Sequence, residues 1–142
     1  MLTVIQALDQ IVREVTTFAP EQVALNDALG LVTVEDVISR EDSPPFDKSL
    51  MDGYAVLSSD ISAGKRELVV VDEVTAGRTP SRDIVSGQAT RIMTGAPTPA
   101  SADAVVPVEM TELVDDDSAR VRILVDEIAP EKNIIRIGTN KR

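Results

Sequence analysis

Between Pro44 and Val56 the chain reads Pro-Pro-Phe-Asp-Lys-Ser-Leu-Met-Asp-Gly-Tyr-Ala-Val, which sets two carboxylates, Asp47 and Asp52, among turn-forming residues just ahead of a strand-like run. Pro44 and Pro45 restrict the backbone and donate nothing to a ladder, so the acids fall on a stiff loop rather than in a regular element. Gly53 lets the chain turn into Tyr54-Ala55-Val56-Leu57. A carboxylate fixed at such a junction can bind a cation, take a proton or orient a polar substrate. Aspartates in Pro/Gly turns also serve as Asx-turn formers, and spacing alone leaves both readings open.

A second segment with chemical potential is Met93-Thr94-Gly95-Ala96-Pro97, which leaves a strand through a glycine. There the Thr94 hydroxyl and nearby backbone N–H groups can meet an anion, although ordinary strand exits look the same. Arg78 and Arg91 lie close in sequence and can offset an anionic ligand; surface solubility is the alternative for each. Asp115-Asp116-Asp117 suggests calcium, but an EF-hand loop needs an oxygen ligand at its fifth position and Gly at its sixth, where Ala119 and Arg120 stand, so a solvated hairpin turn is expected. The acid pairs Glu35-Asp36 and Asp126-Glu127 read as exposed edge charges. Neither a G-x-G-x-x-G nor a G-x-x-x-x-G-K-[ST] motif occurs, so no nucleotide phosphate cradle is recognisable.

The composition narrows the chemistry. Histidine and cysteine are both absent, which removes zinc sites of the usual ligands, histidine bases and thiol nucleophiles, leaving carboxylates, Lys, Tyr and hydroxyls. The net charge of −10 disfavours a nucleic-acid partner. No apolar run is long enough to span a bilayer and no signal-peptide pattern opens the chain; a cytoplasmic location is expected. Aromatics are confined to Phe18, Phe46 and Tyr54, so the core must be Val, Ile, Leu and Ala, a composition that favours sheet.

Around these loops the periodicity predicts the elements that hold them. Thr3 with Gln6 forms a capping-box pattern, and Val4, Ile5, Leu8, Ile11, Val12 and Val15 share one face of a helix over about 4–15. A helical turn over 25–30 stops at Gly30, and a strand is expected over 31–38. Further strands are expected over 67–74, 89–93, 103–108 and 119–125, separated by turn chemistry at 62–64, 75–80, 94–99 and 115–118. The fold class is therefore α+β, with an N-terminal helix, an elongated segment and an inserted β-rich, barrel-like lobe. The expected boundaries are 1–40 plus 128–142 for the elongated, dimerising segment and 41–127 for the lobe. The polar tail over 133–142 reads as cut rather than finished.

The Pro44–Val56 segment, followed by Arg-Ile-Met-Thr-Gly-Ala-Pro-Thr-Pro and Ala102-Asp103-Ala104-Val105-Val106, closely resembles the molybdopterin molybdenumtransferases, the MoeA and gephyrin E-domain family. Two long motifs in the right order carry the resemblance, which extends to Asn133-Ile134-Ile135-Arg136-Ile137-Gly138. It implies the N-terminal third of a longer homodimeric enzyme, without the pterin-binding and C-terminal domains. The lobe would face the partner subunit's pterin-binding domain across the active cleft.

By this resemblance Asp52 and Thr94 match cleft positions and are the expected catalytic residues. Asp47, Lys48, Ser49 and Gly95 are the expected substrate-binding residues, Asp47 also shaping its loop, and no protein metal site is expected. The implied reaction inserts molybdate into adenylylated molybdopterin, with Mg2+ and release of AMP; this segment itself is expected to bind neither ion and to be inactive alone. Lys48 replaces a usual Asn, Leu50 a usual small residue and Thr139-Asn140 a common Glu-Asp pair. Those departures keep open a stand-alone binding or dimerisation module of the same fold. A small β-rich carboxylate hydrolase using Asp47 and Asp52 is a third possibility.

Overall fold

The structure, a computed structural model, describes residues 2–114 and 119–140. The chain divides into two compact units, residues 1–38 and 39–142. The acidic run Asp115-Asp116-Asp117 lies outside the described residues.

In the first unit, helix α1 spans Val4–Glu14. Its N-terminus is closed by the predicted capping box: Gln6 N–H donates to Thr3 Oγ1 at 3.3 Å and Thr3 N–H donates to Gln6 Oε1 at 3.0 Å. The apolar face of α1 stays open, with Leu8 and Ile11 each 59 % exposed. A single 3-10 turn follows at Leu25–Asp27, and Gly30 takes the left-handed conformation with φ of 87°. Residues 31–38 do not form the expected strand. A strand persists only beside a laddered neighbour, and among the described residues this unit contains no other strand.

The second unit is built on strands β1 (Lys48–Ser49), β2 (Gly53–Val56), β3 (Glu67–Val74), β4 (Gln88–Ile92), β5 (Ala104–Pro107), β6 (Thr111–Leu113), β7 (Arg120–Ile123) and β8 (Ile134–Ile135), with helix α2 at Ser58–Ser62. Six of them form one curled mixed sheet in the order β5-β2-β4-β3-β7-β6, in which only β3 and β4 run parallel. The expected strands over 67–74, 89–93, 103–108 and 119–125 are all present, the first unchanged, the second shifted by one residue and the last two shortened at both ends, and the α+β class holds. The short β1, β6 and β8 have too little apolar pattern to show in the sequence.

Both faces of the sheet are covered, and alternation sorts its side chains between two cores. Tyr54, Val56, Leu68, Val106 and Val121 pack on one face with Ile61 of α2. Ala55, Val105, Ile92 and Val74 pack on the other with Ile84, Ala96 and Ile134. A register shift between Val70 and Asp72 explains how one strand serves both: Leu68 and Val70 lie against the first core, Val74 against the second. Without that extra residue, period two would put all three even positions on one side.

Distant carboxylates hold the loops. Asp103 accepts from Ser58 N–H and Ser58 Oγ, each at 2.6 Å, and so caps α2 from another strand's lead-in. Asp60, 4 % exposed, accepts from Ser86 Oγ and Gly87 N–H at 2.6 Å and from Lys65 Nζ at 3.0 Å. Burial pushes the Asp60 carboxyl up, but those three donors and the Lys65 charge outweigh it and hold it below its ordinary value.

Asp47 anchors the acidic loop in the same way. Its carboxylate accepts from Ile137 N–H at 2.8 Å and from the Arg136 guanidinium, and its backbone oxygen accepts from Thr98 N–H at 3.0 Å. β1 pairs with β8 on one side, and on the other Ser49 N–H donates to Ala96 O at 3.0 Å and Gly95 N–H to Ser49 O at 2.8 Å. The loop is therefore stiff because it is laddered on both edges, beyond what its prolines impose. The tail closes the arrangement through Gly138 N–H on Pro44 O and Asn140 N–H on Ser43 O, backbone contacts that do not depend on the side chains at 139 and 140. Among the described residues no helix is long and apolar enough to cross a membrane.

Two outcomes follow for stability. A methyl group at Gly53 would overlap the Val106 carbonyl oxygen and stand 2.9 Å from its carbon, backbone atoms that cannot rotate away. Gly53→Ala should therefore lower unfolding stability by about 3 kcal/mol, read from urea denaturation; an unchanged midpoint would refute the close approach. For Asp47, burial raises the carboxyl but the Ile137 N–H and Arg136 hold it below 3.8. Its contribution is then fully present above that pH and lost as pH falls through the lower folded value. Asp47→Asn should cost about 1 kcal/mol near neutrality, allowing for solvent screening of the half-exposed Arg136, and the gap to the unmodified protein should close below pH 3.8.

Candidate functional site

Asp52 lies one residue before β2 and Thr94 two residues after β4, 42 positions apart in sequence. The antiparallel register pairs Gly53 with Ile92, so extending it one step sets Asp52 opposite Met93 and brings its carboxylate to Thr94. Asp52 Oδ1 accepts from Thr94 N–H at 2.7 Å and from Thr94 Oγ1 at 2.6 Å. The Asp52 backbone oxygen accepts from Val108 N–H at 3.0 Å, which fixes the residue from the β5 side as well. A cleft of about 110 Å³ opens here, lined by Asp52, Tyr54, Arg91, Met93 and Val108.

Both Asp52 and Thr94 are exposed and reachable. The Thr94 hydroxyl first, and its N–H second, hold the Asp52 carboxyl below the ordinary carboxylate value; slight desolvation opposes them and the Arg91 charge assists. Asp52 is thus an anion throughout the neutral range, a fixed acceptor rather than a proton donor.

The other aspartates clarify what is particular about it. Asp47, Asp60, Asp72 and Asp103 each use both carboxylate oxygens as acceptors within the chain. Asp52 uses only Oδ1: among the described residues Oδ2 accepts no hydrogen bond. Asp83 and Asp126 also accept through Oδ1 alone, so it is the open oxygen together with its place at the cleft that marks Asp52. Asp52 leaves an acceptor facing the outside.

The remaining expected site residues lie beside this pair but are differently engaged. Asp47 is held by Arg136 and Ile137. Ser49 is 1 % exposed, and its hydroxyl donates to Met51 O at 2.6 Å and accepts from Met51 N–H at 3.2 Å. Gly95, with φ of 81°, makes the turn, and its N–H is taken by Ser49 O. With Thr94 N–H on Asp52 and Ala96 N–H on Met93 O, the loop's successive amides are occupied within the chain. Lys48, on β1, is half-buried and makes no ion pair among the described residues.

Tyr54, Met93 and Val108 are cleft residues that the sequence did not single out. Only the β2–β4–β5 register, invisible in a linear reading, brings them together. No group of three or more Asp, Glu, His or Cys among the described residues is arranged to hold a metal. A larger hollow of about 460 Å³ runs along α1, lined by Leu2, Ala7, Gln10, Ile11, Glu14 and Val15. It is a surface stripe on one helix, without the carboxylate and hydroxyl convergence of the Asp52 cleft.

Comparison with known proteins bears on what this cleft belongs to. The family described as MoeA N-terminal region (domain I and II) matches residues 2–142. A molybdopterin molybdenumtransferase of Bacillus subtilis (strain 168) is 34 % identical over 139 residues, covering 92 % of this chain and 32 % of its own length. Molybdopterin molybdenumtransferase 2 of Mycobacterium tuberculosis (strain ATCC 25618 / H37Rv) is 41 % identical over 123 residues, or 84 % of this chain and 29 % of its own. The crystal structure of the molybdopterin biosynthesis moeA protein from Pyrococcus horikoshii OT3 superposes with a TM-score of 0.71 at 33 % identity, over 86 % of this chain and 32 % of that one. The chain therefore spans about a third of the length of these relatives. With the match running from residue 2 to residue 142, the cleft is part of a MoeA N-terminal region, and the chain belongs to that family.

Proposed function

We propose that this chain is the N-terminal portion of a molybdenum-inserting transferase, and that Asp52 and Thr94 form one wall of its active cleft. The observation that carries the reading is the Asp52–Thr94 pair itself: two residues 42 apart, joined by two hydrogen bonds that leave Oδ2 open at a cleft. The proposed reaction inserts molybdate into adenylylated molybdopterin and releases AMP; the names of the relatives, molybdopterin molybdenumtransferases, support molybdenum transfer to molybdopterin, and the adenylylated form and AMP are what the double motif's resemblance implies.

Both substrates are anions, whereas this chain carries a net charge of −10 and no phosphate cradle motif. Their main binding surface is accordingly proposed to lie in other regions of the complete protein. Asp52 is suited to accepting a hydrogen bond from a polar group of the substrate, with Thr94 fixing its orientation. Its depressed pKa makes it a poor carrier of protons near neutrality.

Mg2+ takes one or two carboxylates and fills its remaining positions with phosphate oxygens and water. Asp52 Oδ2 fits as one such ligand, and among the described residues no group of three or more Asp, Glu, His or Cys makes a site from this chain alone. When bound, Mg2+ would supply positive charge to the phosphate oxygens.

Self-association is part of the same proposal. The open stripe of α1, with Leu8 and Ile11 more than half exposed, is suited to burial against a second copy of the protein. Sedimentation should give a dimer, and Leu8→Glu combined with Ile11→Glu should shift it toward monomer; a clean monomer before substitution would remove the dimer from the proposal.

In the complete protein, Asp52→Ala should reduce molybdate insertion about 10²-fold, and Thr94→Ala about tenfold, with Thr94→Ser retaining most of the rate. The factor lost in Asp52→Ala should stay constant between about pH 6 and pH 9, because Asp52 titrates below its ordinary value. Turnover unchanged in Asp52→Ala would exclude this cleft from the reaction.

A further inference from the structure

Arg91 occupies a position unlike that of the neighbouring cations. It sits on β4 with Tyr54 as its partner on β2 and Glu73 as its partner on β3, and it lines the cleft with Asp52. Its side chain is 38 % exposed. Arg66 donates to Ile61 O, Val125 O, Asp126 O and Asp126 Oδ1, Arg122 donates twice to Glu67, and Arg136 is divided between Asp47 and Glu131. The Arg91 side chain donates no hydrogen bond among the described residues. It approaches Glu73 through Nε at 3.6 Å from Oε1, too long for a hydrogen bond.

Two physical facts then combine. A guanidinium has five donors in a planar fork, and its two Nη groups present the edge that matches an oxyanion. The wall beside it carries the ionised Asp52 in a protein of net charge −10, so an incoming anion meets repulsion unless a fixed cation stands next to it. Arg91 is the arginine that lines this cleft.

We infer that Arg91 is the anion-contacting residue of this wall, receiving a tetrahedral oxyanion beside Asp52, either free molybdate or a phosphate group of the pterin substrate. The inference rests on the transferase reading of the Asp52 cleft and adds a specific partner for the substrate's negative charge. Glu73 has the part of a loose tether: it keeps the guanidinium near the cleft without occupying its donors.

The test uses the complete protein and steady-state kinetics with each substrate varied in turn. Arg91→Ala should raise KM about tenfold for the substrate whose oxyanion it meets, with a smaller change in kcat, and Arg91→Lys should recover part of the loss. A rise confined to molybdate identifies the free oxyanion; a rise confined to the adenylylated pterin identifies its phosphate. Glu73→Gln separates this role from a structural one. It removes the competing carboxylate and should leave KM unchanged or lowered, whereas a mere β3–β4 ion pair would make Glu73→Gln and Arg91→Ala alike.

Unchanged KM for both substrates in Arg91→Ala, while Asp52→Ala abolishes turnover, would overturn the Arg91 assignment and leave the site reading standing. Undiminished turnover in Asp52→Ala would instead overturn the site reading. Should Arg91→Ala fail to fold, Arg91→Gln carries the same comparison. Failure of both to fold, together with Glu73→Gln, would mark Arg91 as structural and refute the proposal.

Discussion

The antiparallel register of β2 against β4 and β5 is the constraint on which the rest depends. Gly53 is paired with Ile92 on one side and Pro107 on the other, in a space too small for any side chain. This close approach sets Asp52 against Thr94 and lets Val108 N–H hold the Asp52 backbone. The same three strands bury Tyr54, Ala55 and Val56 between two cores, so the site rests on the best-packed part of the unit. A shift of one residue would exchange the two faces of β2 and separate the pair.

Electrostatics give this rigid frame its character. An acidic protein has to prevent its carboxylates from repelling one another, and here most well-placed aspartates are consumed internally: Asp103 by α2, Asp60 by the Ser86-Gly87 turn and Lys65, Asp47 by Arg136 and Ile137. Each ties together segments far apart in sequence. Asp52 follows the same pattern with one oxygen and departs from it with the other. Asp52 thus combines an unspent acceptor with a place at the cleft and with Arg91 as nearby positive charge.

Much of the fold was legible in local pattern. The Thr3–Gln6 capping box and the apolar spacing of α1 predict its bounds to within a residue, and the Val-rich run over 67–74 is β3 without adjustment. Residues 31–38 misled because their apolar composition suits a strand while the ladder a strand requires is absent from their unit. The helix α2 escaped notice for the converse reason: the carboxylate that caps it, Asp103, lies 45 residues away. The switch of β3 between two cores was equally hidden, since a bulge is a relation between strands.

By its residues alone the chain determined that it offers no histidine or thiol chemistry, that carboxylates, Lys, Tyr and hydroxyls make up its chemical repertoire, and that Asp52 and Thr94 lie in the two segments carrying the family's motifs. Turn chemistry alone could not separate Asp47 from Asp52, because both sit among the same turn formers on the same loop, and only the family resemblance set Asp52 apart. Tertiary structure shows how differently the two carboxylates are engaged. Hydrogen bonds are satisfied by whichever donors the folded chain brings within about 3 Å, and the segment after β8 brings Arg136 and Ile137 to Asp47 while the loop after β4 brings Thr94 to only one oxygen of Asp52.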